Sequence, residues 1–179
     1  SRTRCRWLTS TCSRAMSSPA AATPIELCGI AIRERSAAPM QKLSAARVTR
    51  GAGVEGDARG RPGKRQVTVL SLESWNTACA ELGVNLCWTQ RRANLLVSGV
   101  EFGPDSVGQQ LQLGSLTLEV TRETDPCRRM DAGYQGLQAA LAPDWRGGVC
   151  CRVLSDGELT VGLRGLLVPG PLQGALQLA

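Results

Sequence analysis

Hydrophobic residues recur along this chain in short runs rather than in long helical stripes. Runs at residues 25–32, 44–49, 66–72 and 94–97 are rich in apolar and β-branched residues, and the run at 66–72 alternates them with polar ones. A period of two is typical of strands that bury one face. The pattern therefore predicts a series of short strands in the first half of the chain.

The second half of the chain is predicted to contain two β-hairpins. Each has two apolar runs on either side of a turn sequence: 109–113 and 115–121 around Gly114, and 148–154 and 158–163 around Ser155-Asp156-Gly157. Gly, Asp and Ser at a turn supply the backbone angles and local hydrogen bonds that reverse a chain. We therefore expect each pair of runs to form an antiparallel hairpin.

Two short helices interrupt the strands. Ser71 precedes a helical segment at 73–82, Glu73 lies in its first turn, and Gly83 follows its last residue. A Ser side chain caps a helix N-terminus, an acidic residue is favourable there, and Gly ends a helix. A second short helix is predicted at 137–141. Short strands separated by Gly turns, with a few short helices, predict a mainly β fold of the β-barrel type.

Composition excludes several classes of protein and site. The chain has no His, which excludes Ser-His-Asp and Cys-His catalysis and His-ligated zinc. No stretch approaches the ~18 consecutive apolar residues of a membrane span. The net charge is +6, but four of the 21 basic residues lie in the acid-free segment 1–25, so the remaining 17 nearly balance the 15 acidic residues. With only 3% aromatic residues for base stacking, a nucleic-acid partner is not expected.

The eight cysteines form no CxxC pair, which argues against a zinc ribbon or a thioredoxin-type site. No secretory signal is visible, so free thiols in a reducing compartment are the simpler interpretation. Most of these cysteines, including Cys28, Cys79 and Cys150, lie in apolar patterns that are typical of core residues.

The two ends of the chain differ from the strand-forming region at 26–170. Residues 1–25 are rich in Arg, Ser, Thr and Ala and contain no acid, a composition that resembles a mitochondrial or plastid transit peptide. The alternative is sequence upstream of a start at Met16, which would leave the protein in the cytoplasm. Residues 171–179 are expected to form a loosely held tail.

Four segments recur in a recognisable order. They are Gly53-Val54-Glu55-Gly56-Asp57, Arg92-Ala93-Asn94-Leu95-Leu96-Val97-Ser98-Gly99, Pro126-Cys127-Arg128-Arg129-Met130, and Arg146-Gly147-Gly148-Val149 leading into the closing hairpin. This series resembles the MOSC family, named for the C-terminal domain of molybdenum cofactor sulfurase, over about residues 27 to 167. The resemblance implies a MOSC-type β-barrel that handles the molybdenum cofactor (molybdopterin).

Two departures from the family pattern bear on substrate or partner choice. Relatives often carry a His directly after the Gly-Asp pair, where this chain has Ala58. The closing hairpin of relatives often ends in Gly-Asp, whereas this chain has Gly162-Leu163-Arg164-Gly165.

Cys127 is the residue with the clearest chemical potential. Pro126 restricts the backbone before it, and Arg128 and Arg129 favour its thiolate, which Asp125 opposes. An accessible thiolate in a basic setting can bind a soft metal or accept sulfur. For a lone Cys the default interpretation is a buried position at a strand end. The basic neighbours and the family resemblance favour the catalytic and metal-ligating role.

Basic residues elsewhere are candidates for binding the cofactor. Arg92 and Asn94 are the first choice, because Arg matches a phosphate and an amide can both donate to and accept from a pterin ring. If they begin a strand, alternation would point both side chains to one face. Arg91, Lys64 and Arg65 are further candidates.

The Gly-rich loop at 51–65 carries Lys64 and Arg65 but lacks the strand–loop–helix context of a phosphate cradle. It is either a flexible loop or the rim of an active site. Within it, Asp57 is expected to cap backbone amides of the turn rather than to handle protons.

Three functions remain open. In the first, which the family resemblance implies, Cys127 ligates molybdenum beside the sulfurs of the pterin dithiolene, and the protein reduces N-hydroxylated small molecules with electrons from a separate flavin, haem or iron–sulfur protein. In the second, Cys127 carries a persulfide received from a cysteine desulfurase. In the third, the domain binds the cofactor or a partner without catalysis.

Overall fold

The structure is a computed structural model, and it describes residues 21–171. Within that range the chain forms eleven strands, three α-helices and three 3-10 helices. The strands are β1 Thr23–Ile32, β2 Gln41–Leu43, β3 Ala45–Thr49, β4 Gly53–Val54, β5 Val67–Ser71, β6 Leu95–Ser98, β7 Gln110–Leu113, β8 Leu116–Glu123, β9 Val149–Ser155, β10 Gly157–Thr160 and β11 Arg164–Val168. The α-helices are α1 Leu72–Leu82, α2 Arg129–Gly133 and α3 Leu137–Leu141, and the 3-10 helices are Trp88–Arg91, Pro104–Ser106 and Pro143–Trp145.

Seven strands of the described region close into a barrel, in the order β11-β7-β8-β9-β5-β6-β1, with β1 returning to β11. The strands are antiparallel except for β5 and β6, which run parallel and are joined by a connection that contains α1. A second, three-stranded sheet of β10, β3 and β4 lies beside the barrel. The predicted mainly β barrel fold with a few short helices is confirmed.

Two apolar clusters form the core. The first fills the barrel with alternate residues of its strands, such as Leu111, Leu113, Leu116 and Leu118, which are fully buried. The second lies between the barrel and the helices and includes Trp75, with Leu, Ala, Cys and Met side chains around it. Because aromatic residues are few, aliphatic side chains supply almost all of the buried apolar surface.

The predicted first helix is present with both of its end signals. The Ser71 hydroxyl accepts a hydrogen bond from the backbone N–H of Ser74 at 3.2 Å. Gly83 ends α1 in the left-handed region at φ 66°, and its N–H donates to the carbonyl of Ala80. Local side-chain chemistry therefore fixes this element.

The second predicted hairpin is wrong. β9 and β10 follow each other in sequence, but β9 lies between β8 and β5, and β10 pairs instead with β3. Since both edges of β9 are occupied, no edge remains for β10. The side chain of Asp156 accepts a hydrogen bond from the Arg50 N–H at 2.7 Å, which joins the turn to the neighbouring sheet.

The strand that closes the barrel was not predicted as a separate element. β11 is only partly buried, so its hydrophobic pattern is weak. It nevertheless pairs with β1 through Thr23 and Leu167 and with β7 through Leu167 and Leu111. Closure depends on the backbone hydrogen bonds of a partly exposed strand, whose sequence carries little signal.

The predicted leader and tail fall largely on residues 1–20 and 172–179, which lie outside the described residues. In the part of the chain that is described, no helix combines the length and the apolar character needed to cross a membrane.

Barrel closure can be tested at Gly165 in β11. A Cβ at this position would lie 2.1 Å from the backbone oxygen of Gln112 in β7. We expect Gly165→Ala to lower the free energy of unfolding by about 1–3 kcal/mol because the strands must move apart. Urea unfolding followed by far-UV circular dichroism measures the change.

Gly103→Ala is the matched control, because a Cβ there meets nothing within 4 Å and Gly103 has an extended backbone at φ −153°. We expect a change within about 0.5 kcal/mol. Equal stability of both variants would contradict the tight contact between β11 and β7.

Candidate functional site

Cys127 lies in an irregular segment between β8 and α2 and is exposed to solvent. It borders a small pocket of about 60 Å³, here called the thiol pocket. The lining includes six arginines and no carboxylate: Arg33, Arg59, Arg65, Thr68, Arg91, Arg92, Ala93, Thr124, Cys127, Arg129, Met130 and Gly147. The structure therefore places an accessible thiol in a strongly positive environment.

Arg91 supports the segment that carries Cys127. Its guanidinium is buried and donates to the carbonyl oxygens of Gly147 at 2.7 Å and Thr124 at 2.8 Å, with the sulfur of Met130 at 3.9 Å. Burial lowers the pKa of Arg91 to about 10, although nearby Cys127 acts in the opposite direction. Arg91 was predicted to bind an anion. Its donors instead bind carbonyl oxygens of the protein, and it holds three segments together around the thiol.

Arg92 faces the thiol pocket in an unusual backbone conformation. It ends the 3-10 helix Trp88–Arg91 in the left-handed region at φ 63°. Its Nη2 donates to the carbonyl oxygens of Ser36 and Ala38 at 3.0 and 2.9 Å, while its buried Nε has no hydrogen-bond partner among the described residues. Burial lowers the pKa of Arg92, and the charges of Arg129 and Arg59 lower it further.

Arg33 is a second buried arginine of the thiol pocket. Only 7% of it is exposed, and its Nε also has no hydrogen-bond partner in the described part of the chain. Burial lowers the pKa of Arg33, and Asp57 opposes that effect from 3.7 Å. The Nε atoms of Arg33 and Arg92 are buried without a hydrogen-bond partner in the described residues and lie among other positive charges, an arrangement that an oxyanion would stabilise.

Asn94 does not take the predicted position. β6 begins at Leu95, so Arg92 and Asn94 do not share the face of a strand. The Asn94 side chain is buried; its oxygen accepts from the N–H and hydroxyl of Thr68, and its nitrogen donates to the carbonyl of Ala31. It cross-links β5 and β1 beneath the pocket and does not line it.

Lys64 and Arg65 are exposed and line a second, larger cavity of about 650 Å³, here called the cationic cavity. It is lined by Ala58, Arg59, Arg61, Pro62, Gly63, Lys64, Arg65 and Arg122. Arg59 and Arg65 also line the thiol pocket, so the two spaces are contiguous. Arg65 thus lies near Cys127 as predicted, whereas Lys64 lies only on the larger cavity.

Asp57 orders the Gly-rich loop, as the sequence predicts. One carboxylate oxygen accepts from the Arg33 N–H at 3.0 Å, and the other accepts from the Arg59 N–H at 3.2 Å. The same carboxylate partly compensates the charge of Arg33. Glu55 is exposed and lies near Arg47, away from the thiol pocket.

Acidic residues lie on the other side of the Cys127 segment. A cavity of about 480 Å³ is lined by Glu123, Asp125 and Asp131, together with Pro126 and residues of α3. Burial raises the pKa of Glu123, and the charge of Asp125 adds to that effect. Among residues 21–171, no cluster of three or more Cys, Asp or Glu side chains is arranged to hold a metal ion.

Sequence reasoning missed two arginines of the thiol pocket. Arg33 follows the end of β1, and Arg59 lies in the Gly-rich loop just beyond the Gly-Asp pair. Position relative to that motif could have indicated Arg59. Nothing in the local sequence marks Arg33, because it reaches the site through the pairing of β1 with β6.

Arg91 and Arg92 are adjacent in sequence, but we expect their substitution to change the free energy of unfolding by different amounts. Arg91→Leu leaves two buried carbonyl oxygens without donors, so we expect the free energy of unfolding to fall by at least about 2 kcal/mol. Arg92→Gly removes a guanidinium but relieves the left-handed backbone, so we expect a change within about 1 kcal/mol. Urea unfolding of both purified variants measures these changes. If Arg92→Gly lowered stability more than Arg91→Leu, the supporting role of Arg91 would be contradicted.

Comparison with known proteins gives one family and several related folds. The sequence profile of the MOSC domain matches residues 32–164. The crystal structure of the YuaD protein from Bacillus subtilis is similar, with a TM-score of 0.70 and 18% identity over 82% of this chain and 97% of that chain. YiiM from Geobacillus stearothermophilus has a TM-score of 0.66 and 15% identity, covering 80% and 75% of the two chains.

YiiM from Escherichia coli has a TM-score of 0.59 and 15% identity, with 82% of this chain and 71% of that chain covered. At these identities the structural similarity establishes the fold alone. No curated protein sequence matches the chain.

Proposed function

Because this chain belongs to the MOSC domain family, we propose that it binds the molybdenum cofactor, with Cys127 as a ligand of the metal, and reduces N-hydroxylated small molecules. The observation that carries the proposal is the thiol pocket: an exposed cysteine bordered by six arginines, two of which have buried, unused Nε donors. A soft thiolate suits molybdenum in a dithiolene, and the arginines suit the phosphate of the pterin.

The residues present fit two parts of the cofactor. The thiol pocket, at about 60 Å³, is far smaller than the ~300–1,000 Å³ usual for a small-ligand site, so it would hold the phosphate rather than the whole cofactor. Arg92 would donate to that phosphate through its Nε, which has no hydrogen-bond partner among the described residues. Arg33 would donate through an Nε that also lacks a hydrogen bond and whose ion-pair partner Asp57 lies 3.7 Å away. Asn94, whose amide is used between β5 and β1, would not contact the pterin.

The protein's own residues have defined tasks in this function. Arg91 fixes the Cys127 segment through Thr124 and Gly147, and the surrounding guanidiniums give the sulfur a strongly positive environment. When bound, the cofactor supplies two-electron chemistry, in which R–NHOH, two electrons and two protons give R–NH₂ and water. Since Cys127 is exposed and the chain has no His, solvent supplies the protons. In this function a separate protein supplies the electrons.

A sulfur-carrier function is the second candidate. The exposure of Cys127 favours it, because a desulfurase must reach the sulfur to transfer a persulfide. The same arginines would stabilise the persulfide anion. A third candidate, a binding module without catalysis, would retain the cofactor but not turn over substrate.

Molybdenum content separates these candidates. In protein made in a cofactor-competent host, elemental mass spectrometry should find near-stoichiometric molybdenum in the wild type and almost none in Cys127→Ala, because the thiolate is the only metal ligand that the chain is proposed to supply. Cys87→Ala is the matched control, since Cys87 is also exposed but does not line the thiol pocket.

If neither the wild type nor the variants contain molybdenum, while a known molybdoenzyme from the same host is loaded, the metal-ligand function is ruled out. Persulfide trapping on Cys127 then tests the sulfur carrier. Molybdenum without turnover of any N-hydroxylated compound supports the binding module.

Arg92→Gly tests the phosphate role without unfolding the protein. We expect pterin content, measured by fluorescence after oxidative release, to fall at least about tenfold, which corresponds to the loss of one charge-assisted hydrogen bond. Arg128→Gly, at an exposed arginine beside Cys127 that does not line the thiol pocket, serves as the control. Full pterin content in Arg92→Gly would remove Arg92 from the proposed site.

A further inference from the structure

The cationic cavity carries more positive charge than the proposed cofactor phosphate requires. Five basic side chains line it, and no carboxylate does. Two of them, Arg59 and Arg65, are shared with the thiol pocket, but Arg61, Lys64 and Arg122 are not. Among residues 21–171, none of these last three lies within 4.0 Å of a carboxylate oxygen.

Unpaired basic residues of the described chain are concentrated at the cationic cavity, which is not typical of the rest of the surface. Beyond residue 25 the chain has nearly equal numbers of basic and acidic residues, and other exposed arginines, such as Arg47 and Arg152, lie near glutamates. Like charges held together repel one another, and the repulsion is relieved when an anion binds between them.

The loop that carries these charges is held by buried polar contacts. Gln66, which is 2% exposed, donates to the carbonyl oxygens of Arg50 at 2.7 Å and Gly60 at 3.2 Å. The Thr121 hydroxyl of β8 contacts the carbonyl oxygen of Lys64, which joins the loop to the strand of Arg122. A Cβ at Gly60 would lie 1.6 Å from the Ala52 oxygen, so the two arms of the loop are in close contact.

The volume of the cavity suits a small molecule. Its volume of about 650 Å³ falls within the ~300–1,000 Å³ that is usual for small-ligand sites. It adjoins the thiol pocket at Arg59 and Arg65, so a ligand bound there would lie beside the pocket that Cys127 borders.

We propose that the cationic cavity binds the phosphate of a phosphorylated substrate, with Arg61, Lys64 and Arg122 as the anion-binding residues. This inference rests on the proposed function, since it specifies the substrate class as N-hydroxylated compounds that carry a phosphate ester. The phosphate anchors the substrate, and its N-hydroxy group extends toward the exposed sulfur of Cys127, outside the space that the cofactor phosphate takes in the thiol pocket.

Inorganic pyrophosphate is the direct probe. Isothermal titration with the full chain, purified from a cofactor-competent host, should detect binding that weakens as salt is added, because exposed charges are screened. Arg61→Gln combined with Arg122→Gln should weaken binding at least about tenfold, since two charge-assisted contacts are lost. Molybdenum content should stay unchanged in this variant.

Arg47→Gln combined with Arg152→Gln is the matched control, since it removes the same charge from exposed sites outside the cavity. We expect less than about a twofold change in this control, because distant surface charges contribute little through screening solvent. Equal losses in the two double variants, or no binding to the wild type, would overturn the proposal. Tighter binding of poly-glutamate than of pyrophosphate would overturn it in favour of an acidic partner protein.

Two further measurements separate this inference from the proposed function. If pyrophosphate binds Cys127→Ala but not molybdenum-loaded wild type, the cavity is filled by the cofactor itself and the substrate assignment is wrong. For a matched pair of N-hydroxylated compounds with and without a phosphate ester, kcat/KM should favour the phosphorylated one, and Arg61→Gln with Arg122→Gln should abolish that preference. Absence of molybdenum from the wild type refutes the proposed function, whereas the pyrophosphate titration still reports on the cavity.

Discussion

The buried guanidinium of Arg91 connects the barrel to the Cys127 segment, and the candidate site depends on it. A positive charge remains in such an environment only when its donors are paired, and here the carbonyl oxygens of Thr124 and Gly147 accept them. The Arg91 backbone belongs to the 3-10 helix before β6, Thr124 follows β8, and Gly147 precedes β9. Three segments that are distant in sequence therefore meet at one side chain, and Cys127 keeps its place beside the other arginines.

Positive and negative charges lie on different sides of Cys127. Arginines of the thiol pocket and the cationic cavity lie on one side, and Glu123, Asp125 and Asp131 lie on the other. The chain beyond residue 25 is nearly neutral yet separates its charges locally, which raises the potential where an anionic ligand would enter. The exposed thiol stands between the two regions, where a metal, a persulfide or a substrate could reach it.

Elements fixed by local chemistry were predicted well, and elements fixed by distant pairing were not. α1 has its Ser71 cap and its Gly83 end because those interactions lie within a few residues of the helix. β9 and β10 resemble a hairpin in sequence, yet the edges of β9 are taken by β8 and β5. β11 closes the barrel through backbone bonds to β1 and β7, which depend little on its side chains.

The sequence by itself determined the family and the mainly β fold, and it singled out Cys127 as the candidate reactive residue, because ordered motifs, alternation and turn residues are all local in the chain. Only the tertiary structure decided which arginines surround the thiol: it brought in Arg33 and Arg59, turned Arg91 into a support and used Asn94 between strands. The physical reason is that a side chain's partners are set by which strands pair and at what register, and that choice is made by burial and hydrogen bonding over the whole barrel.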